Sequence, residues 1–223
     1  MYLNNVLFIH IPRTGGTTLE TAMGFEGHQD RPQCGTQAWG ADRNILMGWE
    51  PENKQLAHLS WMEIKKPGLV PMDGPVISIV RNPYTRAVSL FEYPQFRHKW
   101  ESFNQFLNYL DEIHHPYSNE YYFYFYRSQV EYLKNKMGLI DVDFIKFEQY
   151  EEGLDYLNSK YGLGLKVKFD EERHENKDLF SKYYSDIRNI DLVNKIYRED
   201  FRHFGYPQYK LILSHDFLVE ALL

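Results

Sequence analysis

The stretch Phe8-Ile9-His10-Ile11-Pro12-Arg13-Thr14-Gly15-Gly16-Thr17-Thr18-Leu19-Glu20 decides the fold. It opens inside the apolar run Val6 to Ile11, bounded by Asn5 and Pro12, which reads as a strand buried on both faces. Gly15-Gly16 punctuates it, and Thr17 to Met23 reads as the first turns of a helix. A strand–glycine–helix junction exposes unpaired N–H groups and the positive end of a helix dipole, so it suits an anion. Glycine lets the backbone approach an oxyanion closely. Thr17 and Thr18 add hydroxyls, and Arg13 adds a permanent positive charge with a planar fork of donors. The pattern suits a phosphate or sulfate ester. It is not a Walker A loop, because G-x-x-x-x-G-K-[ST] does not occur.

Working outward, Pro75 to Val80 (P-V-I-S-I-V) is a second buried strand ending at Arg81. Asn82-Pro83 starts a helix, with Asn as N-cap and Pro at the first position, and the helix stops before Pro94. Ser89 lies eight residues past Arg81, on the same face of that helix as Asn82. Arg81 and Ser89 are therefore expected to converge on a second anion. Further helices are expected over 102–113, 120–135, 150–161 and 191–204, and a third strand over 142–147. Strand–helix alternation with continuous apolar strands implies an α/β fold: one domain with a central parallel sheet flanked by helices. In such folds ligands sit at the carboxyl ends of the strands, which puts 12–18 and 81–83 on one rim. Residues 1–207 are expected to form this domain. The tail, 208–223, is expected to pack on it or at an interface.

Composition narrows the function. The chain has 223 residues, 43% hydrophobic, 25% charged and 17% aromatic, with a net charge of −6. An acidic total argues against a general nucleic-acid binder. Only residues 51–100 are net positive, with seven Lys/Arg against four Asp/Glu. That is where a small anion could be held. A single cysteine, Cys34, excludes an internal disulfide and a cysteine-based zinc site. No apolar run approaches the ~20 residues of a membrane helix, and Met1 to Asn5 lacks a basic leader, so a cytoplasmic protein without membrane partner is expected.

Taken together, the two anion motifs resemble those of the sulfotransferases that use 3′-phosphoadenosine 5′-phosphosulfate (PAPS). Pro12-Arg13-Thr14-Gly15-Gly16-Thr17-Thr18 resembles the family's 5′-phosphosulfate loop, usually written with Lys in place of Arg13. Val80-Arg81-Asn82-Pro83-Tyr84-x-Arg86-x-x-Ser89 resembles its 3′-phosphate motif. Weaker matches follow at Gln129 to Leu133, Phe144 to Glu148 and Tyr197 to Tyr206. The branch it resembles includes the heparan sulfate 2-O-sulfotransferases. The resemblance implies a P-loop-like sulfotransferase fold, with Arg13, Thr14, Gly15, Gly16, Thr17, Thr18, Arg81 and Ser89 binding PAPS. It implies transfer of a sulfuryl group to an acceptor hydroxyl, a carbohydrate one by its branch, with release of PAP. No metal is expected, since the sulfuryl group carries less charge than a terminal phosphoryl.

A base near neutrality is most simply a histidine. His58, in Leu56-Ala57-His58-Leu59-Ser60-Trp61, lies between the two motifs. The segment resembles the G-H-x-S/T-Y stretch of the 2-O branch, with Ala57 and Trp61 as departures, and the resemblance makes His58 the base. Glu50 and Glu63 are the carboxylate alternatives. Arg13, as the catalytic cation, would act by charge and hydrogen bonding alone, because arginine does not readily give up its proton. His10 reads as a packed core residue, and His114-His115 diverge on a helix. The run Tyr121 to Tyr126 reads as core plus a half-exposed helix face, with stacking on a sugar or adenine as the alternative, and Arg173 to Lys177 as solvated charge, with a 3′-phosphate contact from Arg173 or Lys177 as the alternative. Two competing functions remain: an ATP-dependent P-loop-like kinase, disfavoured by the missing Walker lysine and Walker B aspartate, and a non-catalytic nucleotide-binding module.

Overall fold

A computed structural model of the chain describes residues 2–3, 5–23, 37–39, 46–48, 58–64, 74–113, 123–167, 177–214 and 217–222. The elements fall into two compact units, formed by residues 1–81 with 129–168 and by 82–128 with 169–223.

The first unit holds β1 (Tyr2–Leu3), β2 (Val6–Ile9), α1 (Gly16–Ala22), β3 (Gln37–Trp39), β4 (Leu46–Gly48), α2 (Trp61–Ile64) and β5 (Val76–Val80). The second takes over with α3 (Pro83–Phe91), α4 (Pro94–Arg97), α5 (Phe103–Ile113) and α6 (Phe123–Tyr126). The chain then returns to the first for α7 (Gln129–Tyr132), β6 (Lys134–Asn135), β7 (Gly138–Leu139), β8 (Asp143–Lys146) and α8 (Tyr150–Tyr161). It ends in the second with α9 (Lys177–Tyr184), α10 (Ile187–Ile196), α11 (Arg198–Phe204), β9 (Tyr209–Ser214) and β10 (Phe217–Leu222).

The first unit is built on a four-stranded sheet in the order β1-β2-β5-β8. Its core is parallel: Phe8 pairs with Ile77, and Ile77 with Asp143. The short β1 adds an antiparallel edge, so the sheet is mixed rather than wholly parallel. All residues of β2 and β5 are buried, as their unbroken apolar character requires in a covered sheet. Ser78, the one polar residue of β5, donates its hydroxyl to the Ile9 carbonyl at 2.8 Å. Gly153 lets α8 approach the sheet: a Cβ there would sit 2.4 Å from Ile145 Cβ. Gly162, at φ 63°, caps α8 with its N–H on the Asn158 carbonyl. Parallel pairing sets the carboxyl ends of β2, β5 and β8 on one edge, which carries His10 to Gly16, Arg81 and Phe147.

The second unit has an aromatic core. Phe91, Phe103, Phe106, Tyr183 and Tyr184 meet at centroid distances of 5.2–5.8 Å, many of them edge to face. Phe125 and Tyr126 are buried, in line with reading that run as core, while Tyr121 and Tyr122 lie outside the described residues. Asn82 caps α3 as expected, accepting from the Tyr84 N–H at 2.9 Å with Pro83 following. Arg86 is fully buried on α3 and donates to the carbonyls of Arg127 (2.9 Å) and Phe125 (3.4 Å).

Two expected helices are corrected. In place of the helix expected over 120–135, the described residues from 123 on form two single turns, α6 and α7, and then enter the β6–β7 hairpin. The 191–204 helix is two helices meeting at Tyr197, whose φ of −109° departs from the helical value. The tail forms the antiparallel β9–β10 pair. Among the described residues, no helix is long and apolar enough to cross a membrane.

Candidate functional site

The loop after β2 turns on two left-handed residues, Arg13 (φ 66°) and Gly15 (φ 86°). A non-glycine residue in this region is held there by its surroundings. Arg81 Nη1 donates to the Arg13 carbonyl at 3.4 Å, so a guanidinium from the β5 end grips the turn of the β2 loop. Left-handed residues alternating with their neighbours turn backbone N–H groups toward a common point, the pattern of anion-holding loops.

Both glycines are required by close packing. A Cβ on Gly15 would lie 2.7 Å from the Phe147 ring, and one on Gly16 would lie 2.1 Å from His10 Cδ2. Tyr150 adds a hydroxyl on the Gly15 carbonyl at 3.3 Å. Thr14 is fully buried and spends its hydroxyl on the Ile11 carbonyl at 2.9 Å. Its side chain therefore shapes the loop rather than offering a donor to a ligand. Thr17 is exposed and Thr18 half-buried in the first turn of α1.

Arg81 is held from three sides. Its guanidinium lies 4.3 Å over the Phe147 ring. Its backbone N–H donates to Gln129 Oε1 at 2.8 Å, and its carbonyl accepts from Gln129 Nε2 at 2.8 Å. Gln129 is fully buried, so its amide acts as a two-pronged clamp on the Arg81 peptide groups. Neither Gln129 nor Phe147 was assigned a role by sequence reasoning. Both stood inside the weaker family matches, which carried position but no function. Ser89 is half-buried on α3, in the second unit.

His58 is 7% exposed. Its Nδ1 lies 3.0 Å from the His10 carbonyl, and its ring stands edge-on to the His10 ring with centroids 4.3 Å apart. A carbonyl only accepts, so Nδ1 carries the proton and the lone pair of neutral His58 resides on Nε2. That is the tautomer of a general base at Nε2. His10 is buried as expected, with Nδ1 2.5 Å from Glu20 Oε1. Burial alone would push the Glu20 carboxyl up. The charge and hydrogen bond of His10, with the charge of His58, outweigh it and hold the carboxyl below its usual value.

Of the carboxylate alternatives, Glu63 accepts the backbone N–H and the hydroxyl of Ser60 at 2.8 and 2.7 Å, capping α2. Glu50, His114, His115 and Arg173 lie outside the described residues. Among the described residues, no group of three or more His, Cys, Asp or Glu could hold a metal.

Residues 3–207 match the profile of the sulfotransferase family. A solved structure of mouse sulfotransferase SULT7A1, complexed with PAP, aligns at 15% identity and a TM-score of 0.40, over 90% of this chain. This chain covers 66% of that one, just under two thirds of its length. No curated protein sequence matches the chain. With nearly its whole length matched to the family profile, the chain belongs to the sulfotransferase family.

Proposed function

We propose that the protein transfers the sulfuryl group of PAPS to a hydroxyl of a carbohydrate acceptor and releases PAP. The observation that carries this reading is the linkage of the two anion motifs in a sulfotransferase-family chain: Arg81 at the end of β5 grips the Arg13 carbonyl of the loop after β2. The residues fit the nucleotide. Gly15 and Gly16 let the loop pack tightly on the rings of Phe147 and His10, which fixes the course of the backbone that would meet the phosphosulfate. Thr17 and Thr18 add hydroxyls at the first turn of α1, and Arg81 supplies a fixed cation for the 3′-phosphate. Ser89 is assigned to the same phosphate on the spacing of the motif alone. Thr14 contributes by holding the loop.

PAPS, when bound, supplies an activated sulfuryl group on a good leaving phosphate. His58 Nε2 takes the proton of the acceptor hydroxyl as its oxygen bonds to sulfur. Arg13 stabilises the negative charge gathered on the departing phosphate oxygen through charge and hydrogen bonds, without giving up a proton. Its side chain is half-buried, where charge is less screened than at an open surface. A carbohydrate acceptor rests on the similarity of His58-Leu59-Ser60 to the 2-O branch.

The test uses labelled PAPS and a panel of oligosaccharides, with wild-type protein and His58→Ala. Loss of a general base predicts transfer reduced by about 10²–10⁴-fold with PAP affinity retained. Full activity in His58→Ala would remove His58 from the role. A wild-type protein that bound ATP with magnesium in preference to PAP would replace the reading with a kinase. Binding of PAP without transfer to any acceptor would favour a non-catalytic module.

A further inference from the structure

Glu20 has no assigned part in the chemistry, yet it is buried in a place where a carboxylate is costly. It lies one turn into α1, fully shielded from solvent, and its Oε2 has no hydrogen-bond partner among the described residues. Its Oε1 grips His10 Nδ1 at 2.5 Å. His10, so held, meets both halves of the site. The Cδ2–Nε2 edge of its ring closes over Gly16 at the start of α1. Its ring stands against His58, and its carbonyl accepts from His58 Nδ1. Phe8 stacks on the ring with centroids 5.7 Å apart, which leaves it little freedom to turn.

We propose that Glu20 is a positioning residue of the transfer site, acting through the His10 ring to set the orientation and proton affinity of His58 while seating the first turn of α1. The inference rests on His58 being the base. Among the described residues, the titratable groups that act on the Glu20 carboxylate are His10 and His58. A negative charge at this position favours the protonated form of a neighbouring histidine. Replacing it with a neutral amide therefore lowers the pH at which His58 takes up its proton.

The experiment follows the ring nitrogens of isotope-labelled histidine by NMR across pH, in wild type, Glu20→Gln and Glu20→Asp, beside calorimetry with PAP. In wild type, neutral His58 should carry its proton on Nδ1. In Glu20→Gln the His58 midpoint should fall by about one pH unit, a tenfold change in proton affinity, and Glu20→Asp should restore most of it. A folded Glu20→Gln protein with an unmoved His58 midpoint would overturn the proposal, because a residue that only supports the fold would lower stability and leave that midpoint alone. A wild-type spectrum with the His58 proton on Nε2 would overturn it as well, and needs no variant to fold. Failure of the sulfotransferase reading is separate: wild type would then not bind PAP, whatever the coupling of Glu20 to His58.

Discussion

Gly16→Ala is the sharpest perturbation of the loop. The added methyl would start 2.1 Å from His10 Cδ2, 2.4 Å from Nε2 and 2.8 Å from Cγ. Comfortable carbon contacts begin near 3.5 Å, so something must move by more than 1 Å. The His10 ring cannot yield easily, with Glu20 on Nδ1, His58 against its face and Phe8 stacked beside it. The strain therefore falls on the loop and the start of α1. Overpacking of this kind costs about 1–3 kcal/mol, and the better helix propensity of Ala offsets at most about 1 kcal/mol. With a net loss of about 1–2 kcal/mol, the predicted fall in melting temperature is roughly 2–8 °C, at about 2–4 °C per kcal/mol for a chain of this size. Because the moved backbone is the proposed phosphosulfate cradle, PAP affinity should fall at least tenfold in the same variant. Gly162→Ala is the control: it is strained by its φ of 63° but has open space around it. That variant should lose about 1 kcal/mol of stability and no PAP affinity. Thermal unfolding and calorimetry with PAP read both quantities. A Gly16→Ala protein with wild-type stability and wild-type PAP affinity would refute the packing argument and the placement of the cradle together.

Other predictions follow from single contacts. Gln129→Leu leaves two Arg81 peptide groups without their clamp; it should cost about 1–3 kcal/mol and weaken PAP binding, seen by urea unfolding and calorimetry. Ser60→Ala and Glu63→Gln each loosen the cap of α2 by about 0.5–2 kcal/mol, yet should leave the acid limb of the transfer pH profile in place; a shifted limb in Glu63→Gln would make Glu63 the base after all. Arg86→Met empties two buried carbonyl partners in the second unit and should destabilise by several kcal/mol, measured by thermal unfolding. Glu20 has a folded-state value below its ordinary 4.5. Its contribution to stability is thus complete above pH 4.5 and is lost as pH falls through the lower folded value; Glu20→Gln should flatten that part of the acid-unfolding curve.

The parts of the molecule legible in the sequence are those governed by local rules. Unbroken apolar runs marked β2 and β5, Asn82-Pro83 marked the start of α3, and 150–161 is the helix observed as α8. The parts that were not legible depend on distant partners. Nothing local breaks a helix at Arg127-Ser128, but the Arg127 and Phe125 carbonyls go to the buried Arg86, and the Ser128 hydroxyl goes to Asp200 at 2.5 Å. Those contacts replace helical pairing and leave two separate turns. The split at Tyr197 has the same origin: its buried ring directs the hydroxyl to the Tyr126 carbonyl at 3.2 Å. In the site, the glycines and the two arginines stood out because their residue types are unusual at such junctions. Glu20 and Gln129 did not. A charged residue in an early helical turn reads as solvated, and an amide 48 residues from its partner carries no spacing signal. The contact of the Thr14 hydroxyl with the Ile11 carbonyl was likewise not legible, since nothing in the spacing distinguishes a loop-holding hydroxyl from the others of the motif.

The most direct test of the account is calorimetric titration of the wild-type protein with PAP, set against ATP with magnesium, and repeated on Arg13→Ala and Arg81→Ala. The account predicts micromolar or tighter binding of PAP, markedly weaker binding of ATP, and loss of at least tenfold in PAP affinity in each variant. Preference for ATP, or PAP affinity unchanged in Arg13→Ala and in Arg81→Ala, would contradict it.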